Sequence, residues 1–147
     1  MLKFKLFLIL ILLPILLDAQ KEDFIWVFGY NSPSGAEGRG PCVLDFNHEP
    51  PLAYEQEREM NLDVSVASNC DENGDLLLYT NGIYIANHEH ELIENGDSLN
   101  PGDIAFDYIP QGYPVFQSAI LHSDPTTPDV HTPVSYTHLT LPTTPYV

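Results

Sequence analysis

Apolar residues fall in short runs of about five to eight positions, separated by stretches rich in Gly, Pro, Asn and Asp. "FIWVFGY" (residues 24–30) is a continuous β-branched and aromatic run that ends at the turn-rich "NSPSGAEGRGP", which predicts a strand. "CVLDF" (42–46) follows and stops before the Pro50-Pro51 pair. In "NLDVSVAS" (61–68), Leu62, Val64 and Val66 alternate with Asp63 and Ser65, predicting a half-buried strand with its apolar residues on one face. "DLLLYT" (75–80), "IYIAN" (83–87) and "PVFQSAIL" (114–121) supply three more strands. Only "AYEQEREM" (53–60) has helical character, and a helix that short needs packing to persist.

Short strands with no helix long enough for a crossover predict an all-β fold of antiparallel meanders. Two architectures then compete. A small β-sandwich buries one face of each strand and yields alternation, whereas propeller blades stack face to face and bury both faces of their inner strands. The continuous runs "FIWVF" and "DLLLY" favour a partial β-propeller of about two blades, since a blade takes ~40–50 residues.

The strongest local signals are the turns. Asn73-Gly74 and Asn81-Gly82 each lower the cost of positive φ at the two central residues of a type I′ turn, and Asn95-Gly96 marks a later turn. The first two predict a three-stranded meander running from "VSVASNC" through "DLLLYT" to "IYIAN". The first pair also sits in "DENGD" (71–75), where Asp71, Asn73 and Asp75 could offer oxygen ligands to calcium. An EF-hand loop requires Gly at its sixth place and Glu at its twelfth. Here Gly74 falls fourth and no Glu stands twelfth, so hairpin punctuation is the preferred reading.

The ends of the chain have different origins. Lys3 and Lys5, the apolar residues 6–17 and Leu17-Asp18-Ala19 have the layout of a secretory signal peptide over residues 1–19. The apolar run is interrupted by Pro14 and falls short of the ~20 residues of a membrane span. The expected mature product is therefore secreted or held at the cell surface, with no transmembrane span. At the other end, "VSYTHLTLPTTPYV" (134–147) is uncharged and Thr/Pro-rich, ordinarily the mark of a linker. It resembles a translated frame of the transposase adapter used in sequencing libraries. It is accordingly set aside as a non-native tail, leaving residues 20–133 as a propeller-like region truncated at its C-terminus.

Charge narrows the partners. Removing residues 1–19 leaves Lys21, Arg39 and Arg58 against 20 of the 21 acidic residues, a net charge near −17. Such a surface repels phosphates, which argues against nucleic acid and anionic membrane as partners. With 44% hydrophobic residues the chain is not a disordered acidic tail.

Candidate chemistry is sparse. Cys42 and Cys70, the two cysteines, are a candidate disulfide in an oxidising compartment. In "NHEHE" (87–91), His88 and His90 would share a face if extended, a spacing suited to zinc or copper but without a third ligand. Ser65, Ser68 and Ser118 lack the GxSxG elbow of a nucleophilic serine. "GAEGRG" (35–40) lacks the Lys-Ser/Thr of a phosphate loop. No catalytic residue and no cofactor site is assigned, with calcium the one low-ranking cofactor candidate.

At "DENGDLLLYTNGIYIANHEHELIENGDSLNPG" the chain resembles the N-terminal region of large secreted proteins of Bacteroidota-type bacteria. The shared pattern is "asxCDxxGxLLxYTNGxxIxNxxHxxxxNGdxLN" followed by "GxxxxQsaIL". Cys70, Gly74, Tyr79, Asn81, His90 and Asn100, then Gly112 and Gln117, are among the residues that meet it. The resemblance implies a β-propeller-like region and, further along the full-length protein, a sorting domain for type IX secretion. It implies no activity for named residues. The expectation is a non-enzymatic binding or adhesion scaffold whose extracellular ligand is a protein or a glycan. The alternatives are the N-terminal part of a secreted hydrolase and a complete small β-sandwich binding module.

Overall fold

The computed structural model describes residues 21–29, 40–109, 111–124 and 127–135. Among them, eight strands form three antiparallel sheets beside one short helix. The first sheet has the order β1 (Ile25–Phe28), β2 (Cys42–Asp45), β3 (Leu52–Glu55), and the second β4 (Ala67–Cys70), β5 (Leu76–Thr80), β6 (Ile85–Asn87). After helix α1 (Asp103–Tyr108), β7 (Ala119–Asp124) pairs with β8 (Thr127–Ser135). The all-β fold of antiparallel meanders is as expected, including the three-stranded β4–β6 unit. The expected signal region 1–19, most of "NSPSGAEGRGP" and residues 136–147 lie outside the described residues.

Each departure from the sequence expectation has a physical cause. Leu52 to Glu55 form a strand instead of a helix, pairing Ala53 with Leu44 and Tyr54 with Val43. A helix there would have placed Glu55 and Glu59 one turn apart, where like charges repel, while main-chain pairing at the open edge of β2 is indifferent to side-chain type. The expected strand 61–68 begins late, at Ala67. Leu62 makes an isolated bridge to Gly29, the chain bends at Asp63 and Val64, and the faces invert beyond the bend. Ser65 becomes fully buried and Val66 is exposed, as a one-residue change of phase requires. The last expected strand likewise shifts to Ala119–Asp124, because Gln117 adopts positive φ and turns the chain just before it. Strand β8 runs through Val134 and Ser135, which pair with Ile120 and Ala119. Ladder bonds come from the main chain, so an edge strand accepts these residues whatever their origin.

The turns differ in type from expectation. In each Asn-Gly pair only one residue has positive φ: Gly74, Gly82 and Asn95. These are therefore not type I′ turns, which require it at both positions. Side chains close the first two instead, while the Gly96 N–H donates to the Ile93 carbonyl in the third. Asn81 Oδ1 accepts the backbone N–H groups of Ile83 and Tyr84, and Thr80 Oγ1 accepts that of Gly82 while donating to the Tyr84 carbonyl.

The three sheets meet through their first strands. Ser68 and Cys70 of β4 face β1: the Ser68 hydroxyl donates to the Ile25 carbonyl at 2.8 Å, and the Ile25 N–H donates to Cys70 Sγ at 3.2 Å. Asn69 points the opposite way, where its Oδ1 accepts the Ser123 hydroxyl of β7 at 3.0 Å. Strand β4 is thus covered on both faces. The main core lies between the first two sheets, with Ile25, Val27, Val43, Cys70, Tyr79 and Ala86 buried together with Met60 and Leu62. Full burial of one such large side chain is worth roughly 1.5–3 kcal/mol. Strand β1 buries only one face: Ile25 and Val27 point inward, while Trp26 and Phe28 are half exposed.

Candidate binding site

The sequence candidates prove to be held by structural bonds. In "DENGD", Asp71 Oδ1 accepts the backbone N–H groups of Asn73 and Asp75 at 2.8 and 2.9 Å, and Oδ2 accepts the Asn73 amide at 3.2 Å. Burial would raise the Asp71 pKa, but the hydrogen bonds from Asp75, Asn73 and Gly74 outweigh it and hold the carboxyl below its ordinary value. The carboxylate is a turn cap. Among the described residues, no three His, Cys, Asp or Glu side chains gather in a group able to hold a metal ion.

His88 and His90 are not on an extended face. Strand β6 ends at Asn87, whose Oδ1 accepts the N–H groups of Glu89 and Glu91, and His90 itself has φ 67°. That reversal leaves His88 exposed and brings His90 Nδ1 to 3.0 Å from the Tyr79 hydroxyl, with the rings edge to face. The two cysteines are free. Cys42 is paired with Phe28 at one end of β1, while Cys70 touches Ile25 at the other. Three residues of strand separate those ends, about 10 Å, beyond the reach of a disulfide.

Beside Tyr79 lies Arg58, a cation only 5% exposed in an acidic protein. Its Nη2 donates to the carbonyls of Phe28 and Cys42, whereas Nε and Nη1 have no partner. Burial lowers its pKa, with Tyr79 and Cys42 acting in the opposite sense. Burial also pushes the Tyr79 phenol up to about 12, against the pull of Arg58. For His90, burial first, then Arg58 and His88, push the pKa down. At neutral pH Tyr79 therefore donates and a neutral His90 accepts. The trio ties the 88–90 turn to β5 and to the end of the first sheet.

The serines expected to be unremarkable are mutually bonded: Ser65 and Ser118 lie 2.6 Å apart, buried. Sequence reasoning missed Ser123, whose Oγ is 3.2 Å from His131 Nδ1 as well as bonded to Asn69. With its proton directed to Asn69 and little of it exposed, this hydroxyl knits β7 to its neighbours.

The open feature of the molecule lies elsewhere. A cavity of about 400 Å³ sits between the β5–β6 connection and α1, within the ~300–1,000 Å³ range of small-ligand sites. Its walls are Ile83, Tyr84, Leu92, Ala105, Phe106 and Ile109, and the exposed carboxylates of Glu59 and Asp97 also line it. Burial, then the charge of Glu59, raises the Tyr84 pKa, so the phenol is a donor at neutral pH. No sequence motif marks these residues. They come from three separate segments, and α1 buries only Ala105, leaving no amphipathic stripe to read.

Comparison with known proteins finds no matching family model, curated protein or solved structure. Among the described residues, no helix is long and apolar enough to cross a membrane.

Proposed function

We propose that the chain is part of a secreted or cell-surface β-propeller-like scaffold that serves binding or adhesion, not catalysis. One observation supports this above others: the first strand of each sheet lies beside the first strand of the next, β1 against β4 and β4 against β7. These strands begin at residues 25, 67 and 119, intervals close to the ~40–50 residues of a blade. Blades set around an axis place their innermost strands in this way. The two ends of the row then carry apolar side chains awaiting cover, Trp26 and Phe28 on β1 and Ile120 on β7. In this reading they meet further blades of the full-length protein, and the acidic exterior favours a cationic or neutral ligand, protein or glycan.

The test is thermal unfolding of residues 20–133 beside a chain extended along its natural reading frame. The extended chain is expected to melt cooperatively and at a higher temperature, while residues 20–133 alone melt broadly and associate through the uncovered faces. A monomeric, cooperative melt of residues 20–133 would overturn the proposal. It would favour the second reading, a complete β-sandwich binding module, for which the core enclosed between two three-stranded sheets is the supporting observation.

A further inference from the structure

We infer that the cavity between α1 and the β5–β6 connection is a binding site for a small aromatic amine. The inference rests on the reading of the chain as a binding module and not on its completion as a propeller. Three properties of the cavity converge on this ligand class.

The first is size and lining. About 400 Å³ of space walled by Ile83, Tyr84, Leu92, Ala105, Phe106 and Ile109 accommodates one ring system and offers it ring faces and branched aliphatic surface. The second is unused apolar area. Leu92 is 55%, Phe106 70% and Ile109 47% exposed, so a ring seated among them removes from water surface that the fold itself leaves wet. The third is charge. Among the described residues of the lining, Glu59 and Asp97 are the ionisable side chains besides Tyr84, with no Lys, Arg or His. Within a chain of net charge −16 the site repels carboxylates and phosphates and attracts an ammonium. Tyr84 and Ser98 add hydroxyls at the wall that can accept from it. An aromatic body thus finds the apolar wall while its amine finds the carboxylates. Neutral glycans lack the positive charge that the two carboxylates attract.

The experiment is titration of the full chain at low salt with 2-phenylethylamine and tryptamine, followed by calorimetry or by ligand-observed NMR. Phenylacetate and ethylamine serve as probes of the apolar and ionic halves alone. For ligands this small, Kd is expected on the order of 0.1–1 mM. Phenylacetate and ethylamine are expected to bind at least tenfold more weakly. Glu59→Gln and Asp97→Asn should each weaken phenylethylamine about fivefold, and 0.5 M salt should do so comparably. Ala105→Phe should fill the cavity and abolish binding. If that variant is unstable, Phe106→Ser, at an exposed position, should weaken binding without altering the melt. Equal affinity for phenylacetate, full affinity in Ala105→Phe or Phe106→Ser, or no saturable binding of either amine would overturn the inference. None of those outcomes touches the scaffold proposal, which the thermal melt decides separately.

Discussion

The β4–β6 sheet and the neighbouring segment 92–118 are adjacent in space but are built by different rules. In the sheet, consecutive strands pair through the main chain and each turn is closed by a local side chain, Asp71 in one and Asn81 with Thr80 in the other. The segment holds the six-residue helix α1 and the turns around it, and anchors itself at points: the Asn100 amide donates to the Gly82 carbonyl, the Tyr113 N–H to the Asn81 carbonyl, and Ser118 meets Ser65. The sheet leaves little apolar surface wet, whereas the segment leaves Phe106 and Phe116 more than two-thirds exposed. The difference separates the part of the molecule that stores folding free energy from the part with surface available to a ligand.

The largest expected effect breaks the sheet from within. Tyr79 has no exposed area and packs with Val27, Val43 and Ala86 in the main core. Tyr79→Ala is expected to cost about 3–5 kcal/mol, the range for removing a buried aromatic ring, measured by urea denaturation. A similar loss on truncating an aromatic residue of the segment, such as Phe116, would erase the contrast.

Next in size is Gly82→Ala, at the point where the two regions touch. Gly82 has φ +82°, and an added Cβ would lie 2.6 Å from Ser118 Oγ and 2.9 Å from Tyr113 Cβ. Left-handed backbone and close approach act together, so a loss of about 2–3 kcal/mol is expected by the same measurement. Because the clash is with the segment, the double variant Gly82→Ala/Ser118→Ala should recover part of that loss. Complete recovery would mean that backbone conformation contributes nothing.

Much of the sheet was legible in the sequence for a reason the segment lacks. "DLLLYT" and "IYIAN" are short apolar runs bounded by Asn-Gly, and pairing between sequence neighbours needs no distant information. The turn type was misread, because Asx side chains that bond their own backbone offer a second way to use the same residues. Alternation in residues 61–68 misled beyond Asp63, where the tertiary contact of Ser65 with Ser118 inverts the faces. The cavity was illegible altogether. Glu59, Tyr84, Asp97 and Phe106 are brought together by folding, and each alone reads as an ordinary surface or strand residue. The cysteines show the same limit: an oxidising compartment permitted a bridge without deciding it, and only the register of β1 places them apart.

Smaller still is the pH dependence of the bond between Tyr79 and His90, which joins the sheet to its own outlying turn. The folded state lowers the His90 pKa below 6.5 through burial, Arg58 and His88. The unfolded chain therefore takes up the proton first, and this contribution is complete above pH 6.5 and declines as pH falls toward the folded value. Tyr79 acts in the opposite direction: its folded pKa, raised from 10.0 to about 12, keeps its contribution intact below pH 10 and removes it as pH rises toward 12. Urea midpoints followed across pH are expected to fall on both sides. His90→Gln should flatten the acid limb between pH 7.5 and 5, and Tyr79→Phe the alkaline one. Unchanged limbs in those variants would assign the slopes to other groups.

The smallest expected effect on stability is the most informative about the segment. Phe106 is 70% exposed on α1, and the helix is held through Ala105 rather than through it. Phe106→Ser should therefore leave the urea midpoint within about 0.5 kcal/mol of the parent, the ordinary range for a surface substitution. A large exposed aromatic ring in the cavity wall that brings no benefit to folding is surface available to an occupant of the cavity. A loss of more than about 1 kcal/mol would show the ring to be part of the packing, and the segment would then differ from the sheet in regularity alone. An unchanged midpoint together with weakened amine binding would assign the ring to the cavity, and the two regions would differ in task as well as in construction.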